Sequence, residues 1–327
     1  MTAPLLLLGL ALVVGTVGAR WLRNAGWTQR APRLGILAWL ALTASIVLSV
    51  TLAGVALALR AVPATTNLAD LVGACAMALR LHDATPGGVA VAAAGVAVAA
   101  VGMGRIAYCL AVGWMAARRS RAVHRRGLEL VAHADPASGA LIVRHPTPAA
   151  YCLPGRRGDV VLTTAAMVAL DVGQLAAVLA HERAHLLGRH DVVLSFANAL
   201  RAAFPFIPVF ATARAELGRL VEMHADDTAL VGSDRRVLAS ALVGLAGEPH
   251  PIGTLGAAGE AAVARVRRLV QPATPLGALP SLLAAVGALA LVVMPLVIAA
   301  APAVSAVAMG YCPLGLSDLT LRCFIAQ

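Results

Sequence analysis

Residues 181–185 read His181-Glu182-Arg183-Ala184-His185. In a helix, positions four apart share a face, so both imidazoles can reach one ion. Glu182 then lies beside that ion and can take a proton from water. A zinc ion at this point would lower the pKa of the water and polarise a scissile carbonyl. Upstream, Asp171 followed by Gln174 forms a capping-box pair that starts the helix. Gly188 marks its end.

A third ligand is needed. The run Glu222-Met223-His224-Ala225-Asp226 places Glu222 and Asp226 one helical turn apart on a common face. Glu222 can complete a site of two histidines and one glutamate, leaving the fourth position for water. Asp226 can hold a ligating imidazole through its free N–H. Asp191 is the competing ligand, because His181, His185, Gly188 and Asp191 mimic the metzincin spacing. It ranks second: no clear Met-turn follows, and Met223 is embedded in a helical pattern. His190 follows the helix end and reads as solvent-facing.

Around this motif, residues 117–279 are the only sizeable stretch that could fold in water. Short extended segments at 140–143, 149–153 and 160–163 are punctuated by Pro154-Gly155 and Gly158. Helices are expected over 171–187, about 213–230 and about 235–246. The stretch 192–213 is nearly all apolar apart from Arg201 and contains Pro205 and Pro208. A single membrane crossing there would put Glu222 on the opposite side from His181, and ligands of one zinc cannot be so separated. The stretch is too short for two full crossings. An interfacial or shallow re-entrant element is therefore expected.

The rest of the chain is dominated by apolar runs. Of its 327 residues 60% are hydrophobic and only 13% charged, with a mean hydropathy of +0.82. A soluble domain carries about a quarter charged residues. A membrane helix needs about 20 apolar residues, and segments at about 4–19, 34–59, 88–115 and 282–309 meet that need. The expected class is mainly α: a polytopic membrane protein of about four transmembrane helices plus an α+β protease domain with a small β-sheet. The domains are then 1–116 with three spans, 117–279 with the metallopeptidase, and 280–327 with the fourth span and a short tail.

Arginine distribution sets the orientation. Arg20, Arg23, Arg30 and Arg33 follow the first span, and Arg118, Arg119, Arg121, Arg125 and Arg126 follow the third. Between spans two and three, Arg60 and Arg80 are offset by Asp70 and Asp83. This places 20–33 and 117–279 in the cytoplasm, and both termini outside the cell membrane. The net charge of +10 thus reads as loop arginines facing membrane lipid rather than direct nucleic-acid binding, since no recognition motif accompanies it. Five cysteines lack any C-x-x-C pair, which argues against a zinc ribbon. Cys312 and Cys323 share the outer tail, where a disulfide could form.

Together these residues resemble a known family. The runs 149–155, 160–164, 175–190 and 222–229 are similar to BlaR/MecR-type membrane zinc metallopeptidases, and more distantly to HtpX-type and CAAX-prenyl-type proteases, all of gluzincin pattern. The resemblance implies zinc ligands His181, His185 and Glu222, with Glu182 as general base and Asp226 as supporting carboxylate. It also suggests Val160, Val161, Leu162 and Thr163 as the strand on which an extended substrate pairs. The protein partner it implies is a cytoplasmic or membrane-proximal substrate, such as a BlaI-like repressor. Quality-control proteolysis and a catalytically silent receptor or scaffold with structural zinc are the alternatives. One departure is decisive: the chain contains no lysine, so it has no Ser-x-x-Lys site, and direct β-lactam acylation is not expected.

Other polar residues receive plainer readings. Arg105, near the inner end of the third span, is expected to snorkel. Arg265, Arg267 and Arg268 read as contacts to anionic lipid headgroups. His250 is a weak candidate for oxyanion stabilisation. Cys152 reads as a packed side chain rather than a nucleophile.

Overall fold

The computed structural model describes residues 2–58, 88–155, 158–246, 255–271 and 274–310. The architecture is mainly helical with one small mixed sheet. Helix α1 (Thr2–Val13) continues through a π-helical turn at Val14–Gly18 into α2 (Ala19–Asn24). Then come α3 (Trp27–Arg30), α4 (Pro32–Ala58) and α5 (Gly88–Val131). Four strands follow, β1 (Ala132–Ala134), β2 (Leu141–Val143), β3 (Ala150–Leu153) and β4 (Asp159–Thr163). The remaining helices are α6 (Thr164–Ala169), α7 (Val172–Leu187), α8 (His190–Ala203), α9 (Pro208–Ala229), α10 (Arg235–Ala246), α11 (Leu255–Val270) and α12 (Ala278–Gly310).

Among the described residues, four helical stretches are long and apolar enough to cross a membrane: Thr2–Asn24, Pro32–Leu57, Ala90–Val131 and Ala278–Ala301. The third differs from its sequence reading. The helix does not stop near residue 115 but runs unbroken for 44 residues, so the boundary drawn after residue 116 falls inside α5. Its polar half contains no glycine pair or proline that could break it, and arginine and alanine are good helix formers.

The described residues form two compact units. One comprises those within 1–18, 41–104 and 288–327. In it α4 and α5 touch backbone to backbone. A Cβ on Gly95 would lie 2.9 Å from the Gly54 carbonyl and 3.0 Å from the Leu57 Cβ. Only glycine allows that approach.

The other unit comprises residues within 19–40 and 105–287 and carries the sheet. Strand order is β1-β2-β4-β3, with β2 and β4 parallel and the other pairs antiparallel. Alternation gives β4 two apolar faces. Val160 and Leu162 pack with Ile142 and Leu179 of α7, while Val161 packs with Leu153 and with Leu128 of α5. The Thr163 hydroxyl accepts a 3.2 Å hydrogen bond from the Ala166 N–H and caps α6.

Strand β4 is thus interior, buried and paired on both sides, so Val160, Val161, Leu162 and Thr163 have no free edge for a substrate. The exposed edge on the side of α7 belongs to β3. Sequence alternation marks a strand but does not order strands within a sheet, so it could not show which strand lies at the edge.

The apolar stretch 192–213 becomes a helical hairpin. Helix α8 ends at Ala203, whose carbonyl accepts a hydrogen bond from the Arg105 Nε. Arg105 therefore fastens α5 to the end of α8 rather than snorkelling. Residues 204–207 turn the chain, and Pro208 opens α9 at the first helical position, where its missing N–H costs nothing. Phe206 at the turn is 74% exposed. His250, Cys312, Cys323 and the loop bearing Arg60, Asp70, Arg80 and Asp83 lie outside the described residues.

Candidate active site

Helix α7 is delivered onto the sheet by its capping box. Asp171 accepts from the Gln174 N–H at 2.8 Å, and Gln174 returns a 3.0 Å bond from the Asp171 N–H. The buried face carries Ala177, Val178, His181 and Ala184, so His181 and His185 point away from solvent toward α9. There Glu222 meets both. Its carboxylate oxygens lie 3.5 Å from His181 Nε2 and 3.6 Å from His185 Nε2. The two Nε2 atoms are 3.1 Å apart. One ligand atom from each of the three side chains falls within 4.8 Å of the others. Two nitrogens and one carboxylate oxygen converging in a half-buried pocket suit zinc. Asp191, the competing third ligand, is instead tied to Arg121 at 3.2 Å.

Behind these side chains sits a carboxylate. Asp226 is fully buried, and its Oδ1 lies 3.1 Å from His181 Nδ1, although the N–H is not well aligned with it. Arg265 grips Asp226 with two bonds of 2.9 and 2.6 Å and reaches Glu222 at 2.9 Å. Burial alone would push both acids up. The Arg265 guanidinium and the His181 ring overcome it, holding Asp226 down to about 2 and Glu222 below its ordinary value.

The two histidines respond differently. Burial opposes charge on His181, but Asp226 and Glu222 outweigh it and raise the ring to about 9. Burial prevails at His185 and lowers it to about 4. Glu182 is raised, chiefly by burial, with hydrogen bonding from the Cys152 thiol and backbone N–H partly offsetting. Cys152 itself is pushed up to about 12 by burial and by Glu182, which suits a packed neutral thiol.

These side chains line a cavity of about 390 Å³. Tyr151 and Cys152 of β3 line it together with His181, Glu182, His185 and Glu222, and Leu238 and Leu242 of α10 line it as well.

Two site residues escaped the sequence reading. Arg265 lies in this polar cluster, and Arg268 pairs with Asp227 at 2.7 Å; of the three arginines assigned to lipid, only Arg267 is exposed. His190 is 3% exposed rather than solvent-facing, with its Nδ1 2.9 Å from that of His185. Burial and the nearby His185 lower it to about 4. The stripe His190, Ala197, Leu200 on α8 repeats at helical spacing and could have flagged it. Arg265 shares a face with the buried Leu269, a fainter signal of the same kind.

Residues 117–218 match the profile of Peptidase family M48. The family is one of zinc metallopeptidases. The match covers His181, Glu182 and His185 and ends before Glu222, Asp226 and Arg265, which join the site through geometry alone. Among curated proteins, the plastoglobule-localized metallopeptidase 48, chloroplastic, of Arabidopsis thaliana is 37% identical over 113 residues, 31% of this chain and 33% of that protein. The chain thus spans about a third of the relative it matches. No solved structure matches.

Proposed function

We propose that this chain is a membrane-anchored zinc endopeptidase that hydrolyses peptide bonds of a cytoplasmic or membrane-proximal protein. The convergence of His181, His185 and Glu222 within 4.8 Å, with Glu182 beside them in one cavity, carries this reading. Zinc held by those three residues supplies Lewis acidity that acidifies water and polarises a carbonyl.

The remaining work belongs to the chain. Glu182, with its raised pKa, takes the proton from the attacking water and passes it to the leaving amine nitrogen. Asp226 orients His181. A substrate in extended form lies against the free edge of β3, where Tyr151 and Cys152 meet the cavity, and backbone pairing fixes its scissile bond.

The biological role proposed is regulated proteolysis of a transcriptional repressor of BlaI type, as in BlaR/MecR-type peptidases. Quality-control proteolysis, as the similarity to HtpX-type proteases suggests, is the second reading.

Glu182→Gln tests the chemistry. Zinc content should stay at the wild-type level while cleavage of an unfolded protein substrate drops about 10²–10⁴-fold. A variant that cleaves as fast as wild type removes Glu182 as the base, and a wild-type chain that holds zinc yet cleaves nothing sinks the enzyme reading and leaves the scaffold. Proteomic comparison of cells carrying either form then identifies the substrate. Accumulation of a winged-helix repressor supports the regulatory role, and accumulation of misfolded membrane proteins supports quality control.

A further inference from the structure

His181 has Asp226 behind it, and His185 has an equivalent of a different chemical kind. The turn Gly188-Arg189 separates α7 from α8, with Arg189 in the left-handed region at φ 47°. This reversal folds the first residue of α8, His190, back under the end of α7. The His190 ring stands edge-on to His185, with centroids 4.9 Å apart and planes at 86°. Nδ1 faces Nδ1 at 2.9 Å. His185 turns its other nitrogen, Nε2, toward Glu222 and His181.

Two facing ring nitrogens at that distance share one hydrogen. A histidine that ligates through Nε2 keeps its hydrogen on Nδ1, so His185 is the donor and His190 the acceptor. His190 then carries its own hydrogen on Nε2, an atom that is buried and has no hydrogen-bond partner. The space for that edge of the ring is provided by Gly188. A Cβ there would lie 2.7 Å from His190 Cδ2 and nearer still to Nε2. Gly188 has φ −74°, so backbone conformation does not require glycine; the imidazole does. Beyond it the His224 ring closes the far side at 5.3 Å.

We propose that His190 is a positioning residue for the metal site, accepting a hydrogen bond from Nδ1–H of His185 and so fixing the tautomer and ring orientation that present Nε2 to zinc, with Gly188 kept small to admit its ring. This rests on the zinc reading above. The two ligating histidines are thereby held by different means. Asp226 supplies negative charge to His181, whereas His190 gives His185 direction without charge.

A buried histidine that merely fills space would behave differently under substitution. His190→Phe preserves ring size and removes the acceptor. His190→Asn shrinks the side chain and keeps an acceptor near the Nδ1 position. Zinc affinity of the purified full chain in detergent, measured by competition with a chromogenic chelator, should fall about 10–100-fold in His190→Phe and recover most of the way in His190→Asn. The visible spectrum of the Co²⁺-loaded chain should shift in the same order, and Gly188→Ala, which keeps the imidazole in the chain but crowds its ring out of position, should reproduce the loss.

A Phe variant binding zinc as tightly as wild type, or more tightly than the Asn variant, overturns the proposal. If His190→Phe does not fold, Gly188→Ala decides: unchanged zinc affinity overturns it, and a fall of that size supports it. A wild-type chain that takes up no equimolar zinc, or retains it after His185→Ala, refutes the zinc reading itself, a separate outcome.

Discussion

At the level of single residues, the two ligating imidazoles are unequal before metal arrives. His181 is raised to about 9 and His185 lowered to about 4. At neutral pH the first ring holds a proton that metal must displace, and the second does not. Zinc uptake at pH 7 should therefore release about one proton. Affinity should fall as pH drops below about 9 and level off above it. Calorimetry of zinc binding in buffers of different ionisation enthalpy reads this directly, and zero release at pH 7 contradicts it. Asp226→Asn removes the anion that raises His181, so it should shrink the proton release while costing about 10–100-fold in zinc affinity.

His181, Glu182 and His185 were legible because helical periodicity alone puts them together. Glu222 and Asp226 were legible as a pair, since one turn separates them. Arg265 and His190 were not, because their roles depend on how α11 folds over α9 and how the chain reverses at Arg189. Helical spacing hints that both are buried, but their partners are set by long-range and loop geometry that local spacing does not encode.

At the level of elements, the apolar spans and the three strands nearest the motif could be read from the sequence. The order of the strands could not, because pairing partners are chosen by tertiary packing. The continuity of α5 was hidden by composition, which changes from apolar to arginine-rich midway while helix propensity does not. The same limit conceals where two spans touch. Gly54 and Gly95 are ordinary glycines in the sequence, yet their backbones meet. Gly95→Leu should force α4 and α5 apart and cost about 1–3 kcal/mol, seen as a lowered thermal midpoint in detergent. Gly104→Ala, where a Cβ meets nothing within 4 Å, should leave the midpoint unchanged or slightly raised. Equal effects from the two substitutions would show that the Gly54–Gly95 contact is not what joins these helices.

At the level of the whole molecule, the membrane orientation rests on arginines that turn out to have two uses. Arg121, Arg125 and Arg268 pair with Asp191, Asp159 and Asp227, and Arg30 donates to the carbonyls of Thr274 and Pro275. Charges committed to folded contacts still bias insertion, because orientation is set by loop charge near the spans as they enter the bilayer. The protease unit is accordingly expected on the cytoplasmic side with the chain start outside. The α8–α9 hairpin is expected to dip into the lipid surface by way of its exposed Phe206. It cannot cross fully, because His181 before it and Glu222 after it share one site. On a background with the native cysteines replaced by serine, Ala137→Cys, on the exposed turn between β1 and β2, should resist a membrane-impermeant maleimide in intact cells and react after lysis. Thr2→Cys should react in intact cells. Phe206→Cys carrying a fluorophore should be quenched by lipids brominated near the headgroup more strongly than by lipids brominated at the chain ends. Quenching strongest at the bilayer centre would mean a deeply buried hairpin, and labelling of Ala137→Cys in intact cells would invert the orientation and move the substrate to the outer side.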